Sequence, residues 1–314
     1  VSQTEGTPED AVKPAAEPYG IAPPAYRLPP AARPGAVRLQ VADLQRSLRY
    51  YTSVLGLRVI SSTPAMAVLG SDAGDEPLVE LQERAGSRPV PAGGRLGLYH
   101  FAILLPDRAT LGRFVQHLTE QRVRFGASDH LVSEALYLQD PDGLGIEVYA
   151  DRPRSSWRHE NRQLLMDTRP LNLPELATAG GDEPWKGMPA GTTIGHIHLH
   201  VGDVARAEQF YHRDLGFDKM VWSYPGALFL GAGGYHHHLG VNSWAAGAEP
   251  AGEGDARLLE WEIVVPRQED VAAALEALSA AGATVREQSG DALVSDPWGT
   301  RLRIRAVRPG SGAS

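Results

Sequence analysis

An α+β fold of four βαβββ modules is predicted by a long-period repeat, a pair of matching turns and an alternating strand at the head of each quarter. Val41, Asp43, Arg46 and Tyr51 return as Val201, Asp203, Arg206 and Tyr211, a constant offset of 160 residues. Each copy runs on to Leu-Gly, at Leu55-Gly56 and Leu215-Gly216. Near the end of each half, Asp140-Pro141-Asp142-Gly143 is matched by Asp296-Pro297-Trp298-Gly299. A repeat of this length organises a chain into copies of one supersecondary unit.

The elements follow in order. The quarters open on the alternating stretches Val37 to Val41, Tyr99 to Leu105, Ile194 to Val201 and Leu259 to Val265, the period of a strand with one buried face. A helix follows: Leu44, Leu48, Tyr51 and Leu55 recur at helical spacing in the first module, and Val271, Leu275 and Leu278 in the last. Asp43 and Asp203 stand where a carboxylate accepts the free N–H groups of a first helical turn. Gly56 and Gly216 stand where a helix end takes a left-handed residue. Short apolar stretches broken by Gly, Asp and Pro then read as three strands with hairpins, and the Asp-Pro-x-Gly motifs as structural turns. The predicted divisions are an extension at 1–35, two modules at 36–153, a linker at 154–191, two modules at 192–307 and a tail at 308–314. The linker carries Trp157 and several Pro and Gly, and its length predicts packing across a surface.

Composition narrows the function. The formal charge is -8, and 42% of residues are hydrophobic and 22% charged. A net acidic chain is a poor partner for nucleic acid or an anionic membrane, and no apolar run has the roughly 18–20 residues of a membrane-spanning helix. The expected partner is a small-molecule substrate, with room for a homo-oligomer. There is no cysteine, which removes disulfides, thiolate ligands and thiol nucleophiles and is compatible with a cytoplasmic location. The Pro- and Ala-rich extension reads as flexible or draped, not as a signal peptide. Phosphate-cradling glycine motifs and a Gly-x-Ser-x-Gly elbow do not occur.

The segments Gly97 to Ile103, Ser133 to Tyr137, Gly195 to Leu199 and Gly233 to Trp244, with the Asp140 turn, resemble the vicinal oxygen chelate superfamily of glyoxalases, bleomycin-resistance proteins and extradiol dioxygenases, and within it the catechol 2,3-dioxygenase-like group. The resemblance covers roughly 36–307. It implies that modules pair into two half-open barrel domains, with metal ligands on the first and last strands of a module. It also implies a metal-dependent extradiol dioxygenase acting on a catechol-like aromatic diol. The alternatives are a glyoxalase-like metal-dependent lyase or isomerase, and a non-catalytic binding protein of the bleomycin-resistance type.

The ligand set expected from this resemblance is His196, one of His237 and His238, and Glu260, with Glu80, His100 and Glu147 as the second choice. Two imidazoles and a carboxylate suit Fe(II) first, and also Mn(II), Zn(II) or Ni(II). His237 or His238 is the expected acid–base residue, the register of His236 to His238 being open between them. Tyr224 or Asn242 is expected to orient the substrate. The sequence departs from the family pattern at Glu260, where His is usual, and at Arg303, where Glu is usual. His117, His130, His159 and His212 read as surface or satisfied core residues.

Overall fold

Residues 19–72 and 76–308 are described by a computed structural model; most of the predicted extension and tail lies outside them. Module one comprises β1 (Arg33–Val41), α1 (Leu44–Ser53), β2 (Arg58–Ser62), β3 (Met66–Gly70) and β4 (Val79–Glu83). Module two comprises β5 (Gly97–Leu104), α2 (Arg108–Glu120), β6 (Gly126–Asp129), β7 (Ser133–Gln139) and β8 (Gly145–Asp151). The linker forms two short strands, β9 (His159–Glu160) and β10 (Gln163–Leu164), and α3 (Leu173–Ala179). Module three comprises β11 (Thr193–His200), α4 (Val204–Glu208), β12 (Asp218–Val221), β13 (Ala227–Gly231) and β14 (Leu239–Asn242). Module four comprises β15 (Arg257–Val265), α5 (Gln268–Ala280), β16 (Arg286–Gln288), β17 (Asp291–Ser295) and β18 (Arg301–Ala306).

The local signals hold. Asp43 accepts from Arg46 N at 2.9 Å and Asp203 from Arg206 N at 2.7 Å. Gly56 and Gly216 have φ of 81° and 95°. In the first turn motif Asp140 Oδ1 accepts from the N–H groups of Asp142 and Leu144; Asp296 repeats this with Trp298 and Thr300. These turns also tie modules together. Tyr51 Oη donates to Asp140 Oδ2 at 3.3 Å, and Tyr211 Oη to Asp296 Oδ2 at 2.9 Å. The recurring tyrosine and aspartate are thus a cross-module bond made twice.

Within each module the first strand lies parallel to the fourth. The pairing between modules corrects the expectation that each half of the chain makes one barrel. One eight-stranded sheet runs β16-β17-β18-β15-β1-β4-β3-β2, joining modules one and four. The other runs β12-β13-β14-β11-β5-β8-β7-β6, joining modules two and three. The 160-residue repeat records similarity between modules and carries no information on which first strands lie side by side.

In the sheet of modules two and three, Phe101, Ile103, Ile146, Val148, Ile197, Leu199 and Val241 point into the main apolar core. Their alternates, including His100, Glu147, His196 and His198, point to the opposite, concave face, as strand geometry requires. The linker packs as predicted: α3 lies on α2, and Gln116 Nε2 donates to the Ala177 carbonyl at 2.8 Å. The described part of the extension is also packed, with Arg27 clasping Asp218 through two 2.8 Å hydrogen bonds and Leu28 buried.

The α2–α3 contact depends on Gly112. A Cβ there would lie 2.3 Å from the Leu176 carbonyl oxygen and 2.6 Å from Gly180 N, both backbone atoms. Gly112→Ala is therefore expected to destabilise the protein by about 1–3 kcal/mol through overpacking, measured by urea denaturation. An unchanged midpoint would show that α3 yields without cost.

Candidate metal centre

The concave face of the second sheet is built around the antiparallel seam of β5 and β11. His198 lies opposite His100, and His196 opposite Ala102, whose other neighbour is Glu147 on β8. The small Ala102 between His196 and Glu147 lets both longer side chains lean toward one point. His100, Glu147 and His196, all buried, each offer a ligand atom within 4.8 Å of the others. The site thus unites His196 of the first-choice set with His100 and Glu147 of the second. A search confined to one half of the sequence splits them.

Glu147 Oε2 lies 3.2 Å from His196 Nε2 and 3.0 Å from His100 Nε2. The His100 contact is not aligned as a hydrogen bond, and His100 Nε2 is buried without a hydrogen-bond partner. Burial drives the Glu147 carboxyl up, but the two adjoining imidazoles, His196 foremost, outweigh it and hold the group well below its ordinary range. Burial is also the main cause that lowers His100. An anionic oxygen and two imidazole nitrogens, one of them without a hydrogen-bond partner, facing one point are a donor set that fits a divalent cation.

The walls are equally ordered. Asn242, fully buried, accepts from His200 Nδ1 at 2.7 Å and donates through Nδ2 to His198 Nε2 at 2.9 Å. The amide therefore fixes the His198 ring with its lone pair at Nε2. Burial, reinforced by His100 and His196, holds His198 well below the usual imidazole range, so the ring is neutral. Opposite it stands Gly240, where a Cβ would come within 3.0 Å of the imidazole carbons. The amide of Asn242 thus serves the wall and lies outside the cavity lining, whereas Tyr224 lines the cavity.

His237 and His238 separate cleanly. His237 lines the cavity, its ring centroid 4.1 Å from that of His196 and 5.0 Å from Phe229. His238 is turned away: its Nδ1 accepts from Ala232 N at 3.2 Å and its ring stacks on Tyr235 at 4.7 Å. Burial pushes its pKa down to about 3. The register was illegible because residues 236–238 precede β14 in irregular backbone, where strand alternation does not apply. Behind His237, His236 Nε2 meets Asp151 Oδ1 at 2.9 Å and His236 Nδ1 meets His237 Nδ1 at 2.7 Å. A carboxylate only accepts, so His236 donates from Nε2 and its Nδ1 receives the proton of His237 Nδ1. This leaves Nε2 as the acceptor nitrogen of His237.

Glu260 and Glu80 lie in the other sheet, which corrects both as ligands to the same ion. By register, the positions of His196, His100 and Glu147 are taken there by Ala36, Glu260 and Arg303. Arg303 Nε donates to Glu260 Oε1 at 2.7 Å and Arg38 Nε to Glu80 Oε2 at 2.7 Å. Arg305 holds Glu262 at 2.8 Å. This explains the departure at Glu260 and Arg303: a guanidinium supplies the positive charge to those carboxylates.

The cavity over the triad encloses about 360 Å³. Its wall also includes Tyr99, Tyr137, His198, Phe229 and Trp244, with Met166, Asp167 and Thr168 from the linker, none of them among the expected site residues. His130, expected as a surface or satisfied core residue, bridges the Asp167 carbonyl and the Tyr137 hydroxyl at 2.8 and 2.6 Å. The one available signal was parity, since Tyr137 and His198 share a strand face with predicted residues.

Comparison with known proteins agrees with this fold. The chain matches the model of the Glyoxalase/Bleomycin resistance protein/Dioxygenase superfamily over residues 33–148 and 193–304. It is 43% identical over 267 residues to the catechol-2,3-dioxygenase of Bacillus subtilis (strain 168), covering 84% of this chain and 93% of that protein. It is 29% identical over 159 residues to biphenyl-2,3-diol 1,2-dioxygenase 3 of Rhodococcus globerulus, covering 46% and 82% respectively. Glyoxalase I from Zea mays shares the fold, with a TM-score of 0.51 at 19% identity over 87% of this chain and 92% of that one.

The Asn242 network yields a structural prediction. Asn242→Ala removes the partner of two buried imidazoles, and leaving such groups unsatisfied costs about 1–3 kcal/mol. Thermal unfolding is expected to shift down accordingly, with the ring resonances of His198 and His200 both moving in NMR spectra. Movement of neither would show that the amide does not hold these rings.

Proposed function

The chain belongs to the glyoxalase/bleomycin resistance protein/dioxygenase superfamily, and we propose that it is a metal-dependent extradiol dioxygenase that opens the ring of a catechol-like diol. The observation that carries this reading is the convergence of His100, His196 and Glu147 at the base of an aromatic-walled cavity. We assign the cation to these three residues, with Fe(II) as the physiological metal. We place the protein, free of cysteine and with no described helix long and apolar enough to cross a membrane, in the cytoplasm.

Held by these three residues, a divalent cation would supply Lewis-acid polarisation of the bound diol. The protein's own groups do the rest. His237 Nε2 takes a proton from the diol and returns it later, while Nδ1 stays bonded to His236. Asp151 balances the charge that reaches His236 and holds its ring in one orientation. His198, neutral and pinned by Asn242, adds no competing charge beside the triad. Phe229 and Trp244 present apolar surface that keeps bulk water from the reacting ring.

Two outcomes are expected. Purified anaerobically, the parent protein and Glu260→Gln each bind about one divalent metal per chain, and His100→Ala, His196→Ala and Glu147→Gln lose metal affinity by roughly tenfold or more. Elemental analysis and metal titration measure this; retention in all three triad variants would remove the assignment. The Fe(II)-loaded parent consumes dioxygen with catechol, and His237→Ala keeps the metal while kcat falls by about 10²–10⁴. Full activity in that variant would exclude His237 as the acid–base residue.

A further inference from the structure

The described residues that line the cavity divide by what carries them. Most stand on strands of the sheet of modules two and three or in the short turns beside them, so they move only with the core. Met166, Asp167 and Thr168 belong to the linker instead, and Asp167 and Thr168 are also exposed to solvent. The linker is therefore one side of the mouth.

Its roots and its span are held differently. One root is Leu164, buried in a cluster with Met220, Val221 and Phe229, where Gln163 Oε1 accepts from Trp222 N and Ser223 N at 2.7 and 2.9 Å. The other is Leu171, packed against the main core and followed by α3, whose Leu176 is fully buried. Between them no side chain of residues 165–170 is buried. Apart from the half-buried Leu165 and Met166, hydrogen bonds tie the span to its surroundings. Leu165 N donates to the Arg158 carbonyl at 2.8 Å, and the Asp167 carbonyl meets His130 Nδ1 at 2.8 Å. Thr168 Oγ1 meets Tyr224 Oη at 3.1 Å, and Arg169 exchanges two 2.9 Å backbone bonds with Asp129 of β6, at the edge of the sheet. Few buried contacts and hydrogen bonds near solvent are the marks of a segment that opens without unfolding the rest. Beside the span, a groove of about 440 Å³ lies between residues 163–167 and 221–225, so there is room for it to turn aside.

We propose that residues 165–170 form a gate. The span swings off the mouth to admit and release the ligand, and the paired backbone bonds of Asp129 and Arg169 are its latch. A ligand cannot pass a wall of hydrogen-bonded strands without breaking the sheet, whereas freeing the span breaks a few bonds that water can replace. The gate serves whatever chemistry the cavity performs, so it stands apart from the ring-cleavage reading.

Two measurements test it. In hydrogen exchange on the parent protein, the Asp129 and Arg169 amides are expected to exchange together, about 100-fold or more faster than the amides bonded between β7 and β8. Arg169 as protected as that pair would overturn the gate. The second measurement locks the latch. Directly opposed residues that exchange both backbone bonds have Cα atoms about 5.5 Å apart, within reach of a disulfide. The chain has no cysteine, so Asp129→Cys/Arg169→Cys carries the only two thiols. Stopped-flow mixing with 4-nitrocatechol, whose absorbance changes on chelation, compares the oxidised and reduced forms of this variant, both loaded anaerobically with Fe(II). The oxidised form is expected to take up and release the probe about tenfold or more slowly, at equal metal content, with reduction restoring the rate. Equal rates in the two forms would overturn the proposal. A reduced form that does not bind the probe would count against the metal-bound diol and leave the exchange measurement to decide the gate.

Discussion

Everything in the site depends on the hydrogen-bonded seam between β5 and β11. It places His100 opposite His198 and Ala102 opposite His196, and it brings β8 and β14 to the flanks. No ligand of the triad is held by a loop. Each stands on a strand whose other face is buried in the common core, so the three donor atoms inherit the rigidity of the sheet. A slip of one residue along this seam would turn every imidazole into the core and every leucine into the cavity. The buried apolar face therefore fixes the register of the polar one.

The sheet of modules one and four shows what the same scaffold does without such a donor set. At the positions matching the triad stand Ala36, Glu260 and Arg303, and the last two close on each other at 2.7 Å. A buried carboxylate needs a positive partner. One sheet meets that need with a side chain of its own, and the other presents lone pairs in the same place. Because both solutions use Glu on a central strand, the sequence alone presents them as equals.

Much of the fold was legible. The caps at Asp43 and Asp203, the left-handed Gly56 and Gly216, and the Asp-Pro-x-Gly turns are local chemistry, and local chemistry is written in consecutive residues. The partner of each module was not, because a first strand carries the same alternation whichever neighbour it pairs with. The site was half legible for the same reason. His196, His100 and Glu147 each read as a candidate ligand, but they lie in different halves of the sequence, which sets Glu260 beside His196 as the expected carboxylate. His237 and His238 could not be separated where the backbone leaves strand geometry just before β14. The linker's contribution of Asp167 and Thr168 to the cavity is a tertiary fact with no periodic signal.

The nested pairing of modules sets an order of assembly. As the chain is made from its N-terminus, β14 ends at Asn242, and by then modules two and three are both present. Their sheet can close around the triad at that stage. β1 must wait for β15, more than two hundred residues downstream, before its seam exists. Such a distant pairing is slow to form, since a long loop must be closed first. Until then β1 is an open edge, and the charge of Arg38 on it is the kind of feature that discourages pairing with another chain. The sheet that holds the triad can thus pair its strands while the other still waits for its last module.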